Sequence, residues 1–447
     1  MATMAAQGKR HRFIYIATAF VALLFMGLIY AWSLFVEPIE TGFGWERAQT
    51  SLIFTLSMIS FSVGMVVAGI IEQRFSPRIV IVATAIIIAG GFIAAAQTTT
   101  LLWIYITYGI IVGFGVGVGT DCIMSVAVKW HPDKQGIASG GMLMGFGMGA
   151  MLLSPLVTVL LGKLSWQTTF LILGVVFGVV MLAVALIMKL PPAEFAASVQ
   201  SASNGAQPHE QKRDYSAVEM IKTRSFRLAF LWLILVSSGG LGLISQAVPA
   251  AEEVLSATGM DAAASAMMAT AAMGGISLCN GFGRLLCGLV WDKFGYRISF
   301  LWISIGFALS MLLCGVAVML SSFPLIVAGF MLLGLVYGGN MASMAVISSS
   351  FFGPKYFGIN YAVATLQMIA SASAGPLMLA TLQTSTGSYL LRSRILGVFG
   401  RSRSSACTFV RHQATPRDKR TVSAILSEGV SSRSLHPAVF IMGEPNR

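Results

Sequence analysis

Eleven stretches of this chain are apolar for long enough to cross a bilayer as helices, and that constrains its fold more than any other feature. A bilayer core is spanned by about 20 apolar residues and offers the backbone no water to bond, so only helices and closed barrels cross it. Hydropathy places helices at about 13–36, 52–71, 79–97, 101–128, 136–161, 168–190, 226–250, 267–291, 298–321, 324–348 and 358–383. Ten-residue segments of alternating polarity, the mark of a membrane barrel, are absent. The 447 residues are 56% hydrophobic and only 10% charged, against roughly 25% charged in a soluble domain. The expected class is an all-α, multi-pass membrane protein.

The net charge of +12 does not point to nucleic acid, because of where the charge lies. With the N-terminus in the cytoplasm, sixteen Lys and Arg residues fall on cytoplasmic segments and two, Arg47 and Lys163, on outside loops up to residue 387. That asymmetry fixes the expected orientation, and a plasma (inner) membrane location goes with it. The five cysteines show no paired spacing, and four of them sit in apolar runs as small hydrophobes. Lys9, Arg10 and Arg12 lead into a helix longer than the apolar region of a cleavable signal.

The chain repeats itself. Gly69…Arg74-Phe75-Ser76-Pro77-Arg78 matches Gly288…Lys293-Phe294-Gly295-Tyr296-Arg297 at an offset of 219, and Trp130…Gly136 with Pro155 matches Phe352…Gly358 with Pro376 at an offset near 222. Two parallel six-helix halves with cargo bound between them near the midplane is the arrangement this implies. The expected divisions are an N-terminal half over 1–190, a cytoplasmic linker over 191–225 and a C-terminal half over 226–388. The remainder, 389–447, reads as an aberrant basic tail. The repeat calls for a twelfth helix near 390–412, but Arg392, Arg394, Arg401, Arg403 and Arg411 stand there. At roughly 2.5–3.5 kcal/mol for each central arginine, such a helix does not insert. A frameshift after about Tyr389 is the expected cause, with the twelfth helix lost.

Two charges lie well inside spans, Asp121 in the fourth and Arg284 in the eighth, each eight residues before its helix's cytoplasmic end. That is about 12 Å in from that end. A charge there is costly and marks a functional site. The planar fork of Arg284 matches a carboxylate bidentately, as lysine cannot. The competing reading is a structural contact, to Asp121 or to a helix-end carbonyl. Asp121 is either a coupling carboxylate, taking a proton or releasing Arg284, or a polar contact near the inner gate. The repeated loops supply further candidate gating residues, Arg74 and Arg78 in one half and Asp292 and Arg297 in the other. Glycines around Asp121 and from Gly140 to Gly149 lie within apolar helices and read as close helix contacts. No histidine lies in a span, and no nucleophile–base or metal-ligand set appears, so neither an enzyme nor a cofactor is expected.

Tyr30-Ala-Trp32-Ser-Leu-Phe35, Gly44-Trp45-Glu-Arg47-Ala-Gln49, Val128-Lys129-Trp130-His-Pro132-Asp133-Lys134-Gln-Gly136, Asn280-Gly281…Arg284 and Phe352-Gly353…Gly358-Ile-Asn360-Tyr361 carry a resemblance. Over about residues 13 to 388 the chain resembles the oxalate/formate antiporter family of the major facilitator superfamily, itself akin to the monocarboxylate transporters. The resemblance implies substrate binding by Arg284, with Asn280 of the same motif beside it, and Tyr30 and Tyr337, at positions aromatic in the family's oxalate carriers, lining the cavity; Trp32 is a further candidate for that lining. Two departures narrow the cargo. The lysine that oxalate carriers hold in the eleventh helix is here about Met368, and the acid that proton symporters hold four residues before the arginine is Asn280. One cation suits a monovalent carboxylate such as formate, acetate or lactate, with exchange and proton symport both open. The expected partners are a small organic anion, with protons as a candidate second one, and the lipid bilayer; the chain is expected to act as a monomer and not to bind nucleic acid. Multidrug efflux and a non-transporting membrane sensor are the rival functions.

Overall fold

The computed structural model describes residues 2–192 and 214–371, Gln246 excepted, and all regular structure among them is helical. The first crossing is a composite: α1 (Ala2–Met26), a tight 3-10 stretch (Gly27–Trp32) and α2 (Ser33–Phe43). Next come α3 (Arg47–Ile71), α4 (Pro77–Ala95) and α5 (Leu101–Ile104). A wide π-helical stretch (Tyr105–Val112) carries α5 into α6 (Gly113–Lys129), followed by α7 (Gln135–Lys163) and α8 (Trp166–Ile187). After the linker stand α9 (Ala217–Lys222), α10 (Arg224–Ser245), α11 (Ala247–Ser256), α12 (Ala262–Met319), α13 (Phe323–Phe352) and α14 (Phe357–Thr365).

Local chemistry sets the ends of these helices. Glu46 and Gln49 form a reciprocal capping box at the start of α3, and Pro77 opens α4, where its missing N–H is no loss. Ser165 accepts from the Thr168 N–H to start α8. Gly295 takes φ 80°, a left-handed conformation that a side chain resists, and so breaks α12 into two crossings.

Nine helices among the described residues are long and apolar enough to cross a membrane, and α12 contains two of the expected spans. Ten of the eleven are thereby accounted for. The eleventh, expected over 358–383, is described only as far as Ser371, and the tail after 389 lies outside the described residues, as does most of the linker. The end of the linker carries the short helix α9 (Ala217–Lys222), which forms because Ser216 and Glu219 cap it reciprocally.

The outward faces of these helices stay apolar: Leu186 is 76% exposed, Leu102 67% and Ile86 66%. Such faces suit hydrocarbon and not water. Where helices before residue 192 meet helices after 214, α7 lies against α12 with almost no room. A Cβ on Gly140 would collide with the Arg284 carbonyl, and one on Gly288 with the Gly136 carbonyl. This seam carries the candidate site.

Candidate functional site

Arg284 sits on the face of α12 that meets α7, and is 6% exposed. Its Nε donates to Asn280 Oδ1 one turn earlier at 3.0 Å, and its Nη1 donates to the Leu143 carbonyl on α7 at 3.2 Å. The guanidinium carbon lies 5.9 Å from the centre of the Phe146 ring. Space for the group is made by Gly147: a Cβ there would stand 3.0 Å from Nε and 3.3 Å from Cζ. Among the described residues no carboxylate comes within ion-pairing distance of Arg284, the single such pair being Arg12 with Asp133. The charge is thus held by neutral acceptors and a ring face, which satisfy hydrogen bonds without neutralising it.

Three tyrosines lie within reach of this cation's charge. Tyr30 meets the same Phe146 ring edge-on at 5.4 Å and feels the charge of Arg284. Tyr337 on α13 and Tyr361 on α14 are buried and also within its electrostatic reach. Of the residues expected from sequence, then, Arg284, Asn280, Tyr30 and Tyr337 come together. Trp32 belongs to different surroundings: its indole N–H donates to the Thr50 carbonyl at 3.1 Å, and its ring packs on Tyr108 at 4.5 Å. Sequence reasoning did not single out Tyr361 as a site residue, although it ends a quoted motif, and took Gly147 for a helix contact when it is also the guanidinium's berth.

Asp121 does not pair with Arg284. It is fully buried on α6, and neither of its carboxylate oxygens accepts a hydrogen bond. Tyr361 lies within electrostatic reach of both charges.

The remaining candidates lie toward the end of the bundle that carries the basic loops. Asp292 accepts from the Gly136 and Ile137 N–H groups at 2.9 and 2.8 Å, capping the start of α7 from the opposite helix group. A carboxylate there satisfies two orphan donors and the positive end of the helix dipole. Arg297 donates to its neighbour Tyr296 and lies over that ring, Arg78 donates to the Leu186 carbonyl at 3.0 Å, and Arg74 is exposed. The Trp130 loop ties three elements together. Trp130 stacks on Tyr15 of α1 at 4.3 Å and donates to the Lys189 carbonyl at 2.7 Å, while Asp133 pairs with Arg12. A strap crosses the α13–α14 turn: Asn360 donates to the Tyr215 carbonyl at 2.9 Å, the Tyr215 N–H donates to the Phe352 carbonyl, and Asp214 accepts from the Lys355 N–H.

Membrane-length helices with lipid-suited faces, and a buried, uncompensated cation on the seam between two helix groups, define a multi-pass membrane carrier. The chain belongs to the Major Facilitator Superfamily, whose family model matches residues 14–376. It is 26% identical to the oxalate:formate antiporter of Oxalobacter formigenes over 79% of this chain and 80% of that one. It is also 24% identical to monocarboxylate transporter 12 of Xenopus laevis, over 32% of this chain and 31% of the relative. Among solved structures it resembles the proton:xylose symporter XylE with a TM-score of 0.67 and 15% identity, covering 91% of this chain and 97% of that one. That likeness concerns the fold alone.

Proposed function

We propose that this transporter carries a small monocarboxylate, of the formate, acetate or lactate class, across the plasma membrane by alternating access, with Arg284 holding the carboxylate. One observation carries the reading: Arg284 is buried and has no carboxylate partner among the described residues. An isolated buried cation is costly, and an anionic cargo removes that cost when bound. The tyrosine hydroxyls of Tyr30 and Tyr337 are suited to donate to the second carboxylate oxygen. Similarity to an oxalate:formate antiporter supports carboxylate cargo and keeps exchange as the second reading for the transport cycle. Met368, where that family's oxalate carriers hold a lysine, favours a monoanion over a dianion. Sixteen basic residues against two support a cytoplasmic N-terminus. The six-helix halves over 1–190 and 226–388, the linker between them and a monomeric carrier complete the proposal.

Uptake in proteoliposomes tests it. Arg284→Lys and Arg284→Gln are expected to lower carboxylate uptake at least a hundredfold while the protein stays folded. The wild-type protein is expected to gain thermal stability from formate or lactate in a concentration-dependent way. Unchanged uptake in either variant overturns the assignment.

A further inference from the structure

A second buried acidic group stands apart from the Arg284 pocket. Glu72, at the end of α3, and Asp121, on α6, both face Gly358 in the first turn of α14. A Cβ on Gly358 would stand 2.9 Å from Asp121 Oδ2 and 3.0 Å from Glu72 Oε2. The two oxygens therefore lie within about 6 Å of each other, the sum of those distances, and Asp121 feels the charge of Glu72. Neither oxygen of Asp121, nor Oε1 of Glu72, accepts a hydrogen bond, and all three are shielded from solvent.

The other groups around the pair do not neutralise it. Lys129, two turns along α6 from Asp121, attracts both carboxylates but is not ion-paired with either. Ser125 lies alongside Glu72 with its hydroxyl outside hydrogen-bonding geometry, and Cys122 is a buried thiol next in sequence to Asp121. From α14 the facing titratable group is Tyr361. Two carboxylates this close, three of whose four oxygens are shielded and without donors, do not both stay ionised: like-charge repulsion and desolvation favour one proton between them.

We propose that Glu72 and Asp121 form a proton-binding site, holding one proton between them for as long as the start of α14 is docked against α3 and α6. The proton comes from bulk water and returns there when the helix start moves away and water reaches the carboxylates. Burial holds the Glu72 carboxyl above the ordinary carboxylate range, against the opposing pull of Ser125 and Lys129, in keeping with such a site. Proton binding and closure at the basic end are then linked. Acid favours the docked form, and undocking releases a proton on the side toward which the bundle opens. Tyr361 lies within electrostatic reach of both this site and the cargo pocket. The inference goes beyond the carboxylate reading and stands for any cargo.

Infrared spectroscopy of the intact protein in lipid nanodiscs tests it, through the C=O stretch of a protonated, buried carboxyl titrated across a pH range. The wild-type protein is expected to show that band at about pH 7.5, far above the usual carboxylate range. Asp121→Asn is expected to move its midpoint down by at least one pH unit, because the Glu72 carboxyl that remains loses the neighbouring charge. Glu72→Gln is expected to move the titration of the remaining acid down by at least one pH unit, a tenfold loss of proton affinity. Should Glu72→Gln fail to fold, Glu72→Asp is expected to keep the band and shift its midpoint. Arg284→Gln is expected to lose uptake and retain the band, so this proposal and the cargo assignment fail separately. Absence of the band in the wild type, an unmoved midpoint in Asp121→Asn, or an unmoved midpoint in both Glu72 variants overturns the proposal.

Discussion

Two helix starts on opposite sides of the seam, Gly136 of α7 and Gly358 of α14, occupy matching places in the repeat and are met by acids from the opposite helix group. Their chemistry differs. At Gly136 a single carboxylate, Asp292, accepts two backbone N–H groups at 2.8–2.9 Å. At Gly358 two carboxylates approach, and Asp121 accepts no hydrogen bond at all. The repeat offset that pairs Gly69 with Gly288 sets Gln73 opposite Asp292, so in the first half the acid has moved one residue back, to Glu72, and gained a neighbour on α6. One start is a fixed cap and the other a site whose charge can change. A sequence repeat conserves the place of an interaction and not its chemistry.

Substitutions at these two starts can break the contrast. Gly136→Ala is expected to cost the most, about 2–3 kcal/mol, as overpacking at a seam does. Its Cβ would stand 2.6 Å from both Asp292 Oδ1 and the Gly288 carbonyl, and the latter is backbone that cannot rotate away. A thermal unfolding midpoint measured in lipid reads this loss; a midpoint like that of wild type means the seam is looser than described. Asp292→Ala comes next, at about 1–2 kcal/mol, since it strands two donors whose partner is partly exposed. Faster labelling of a cysteine placed on the α7 start is the direct measure of that loosening. Gly358→Ala is expected to cost only about 1 kcal/mol, because the atoms it meets are side-chain oxygens able to turn aside. Equal costs at the two glycines would remove the distinction between cap and switch.

The smallest effect expected is a pH dependence in the Trp130 loop. Burial lowers the pKa of His131 and the nearby Arg12 lowers it further, against the opposing effects of its bond to the Ala127 carbonyl and of Asp133. A base whose folded value is depressed gives stability that is complete above its ordinary value, roughly 6.5, and lost as pH falls through the folded value. Unfolding midpoints are expected to fall on acidification below that point and to fall less in His131→Gln.

Much of this was legible in the sequence, because hydropathy reports directly on solvent. Spans, the repeat and the isolation of Arg284 from other cations all follow from counting apolar runs and placing charges. What escaped depends on neighbours distant in sequence. Glu72 stands just past the end of a span, where a carboxylate reads as solvated; α6 and the start of α14, both distant in sequence, pack against it. Asp121 and Arg284, at equal depths in matching helices, suggested a pair, but side-chain direction gave Arg284 to Asn280 and Leu143 and left Asp121 facing Gly358. The 3-10 stretch at Gly27–Trp32 and the π stretch at Tyr105–Val112 lie in uniformly apolar sequence, where periodicity carries no trace of a change in winding. α9 escaped because its two-residue cap is a local signal inside a polar stretch.

The strap formed by Asp214 and Tyr215 has a consequence of its own. It grips Phe352 at the end of α13, Lys355 in the turn, and Asn360 on the very helix that carries Tyr361 and Gly358. Movement of α14 away from α13 must drag Tyr215 with it or break the bond from Asn360. A spectroscopic label on Asp214 would therefore act as an external pointer, reporting from the aqueous phase a displacement that originates within the bilayer.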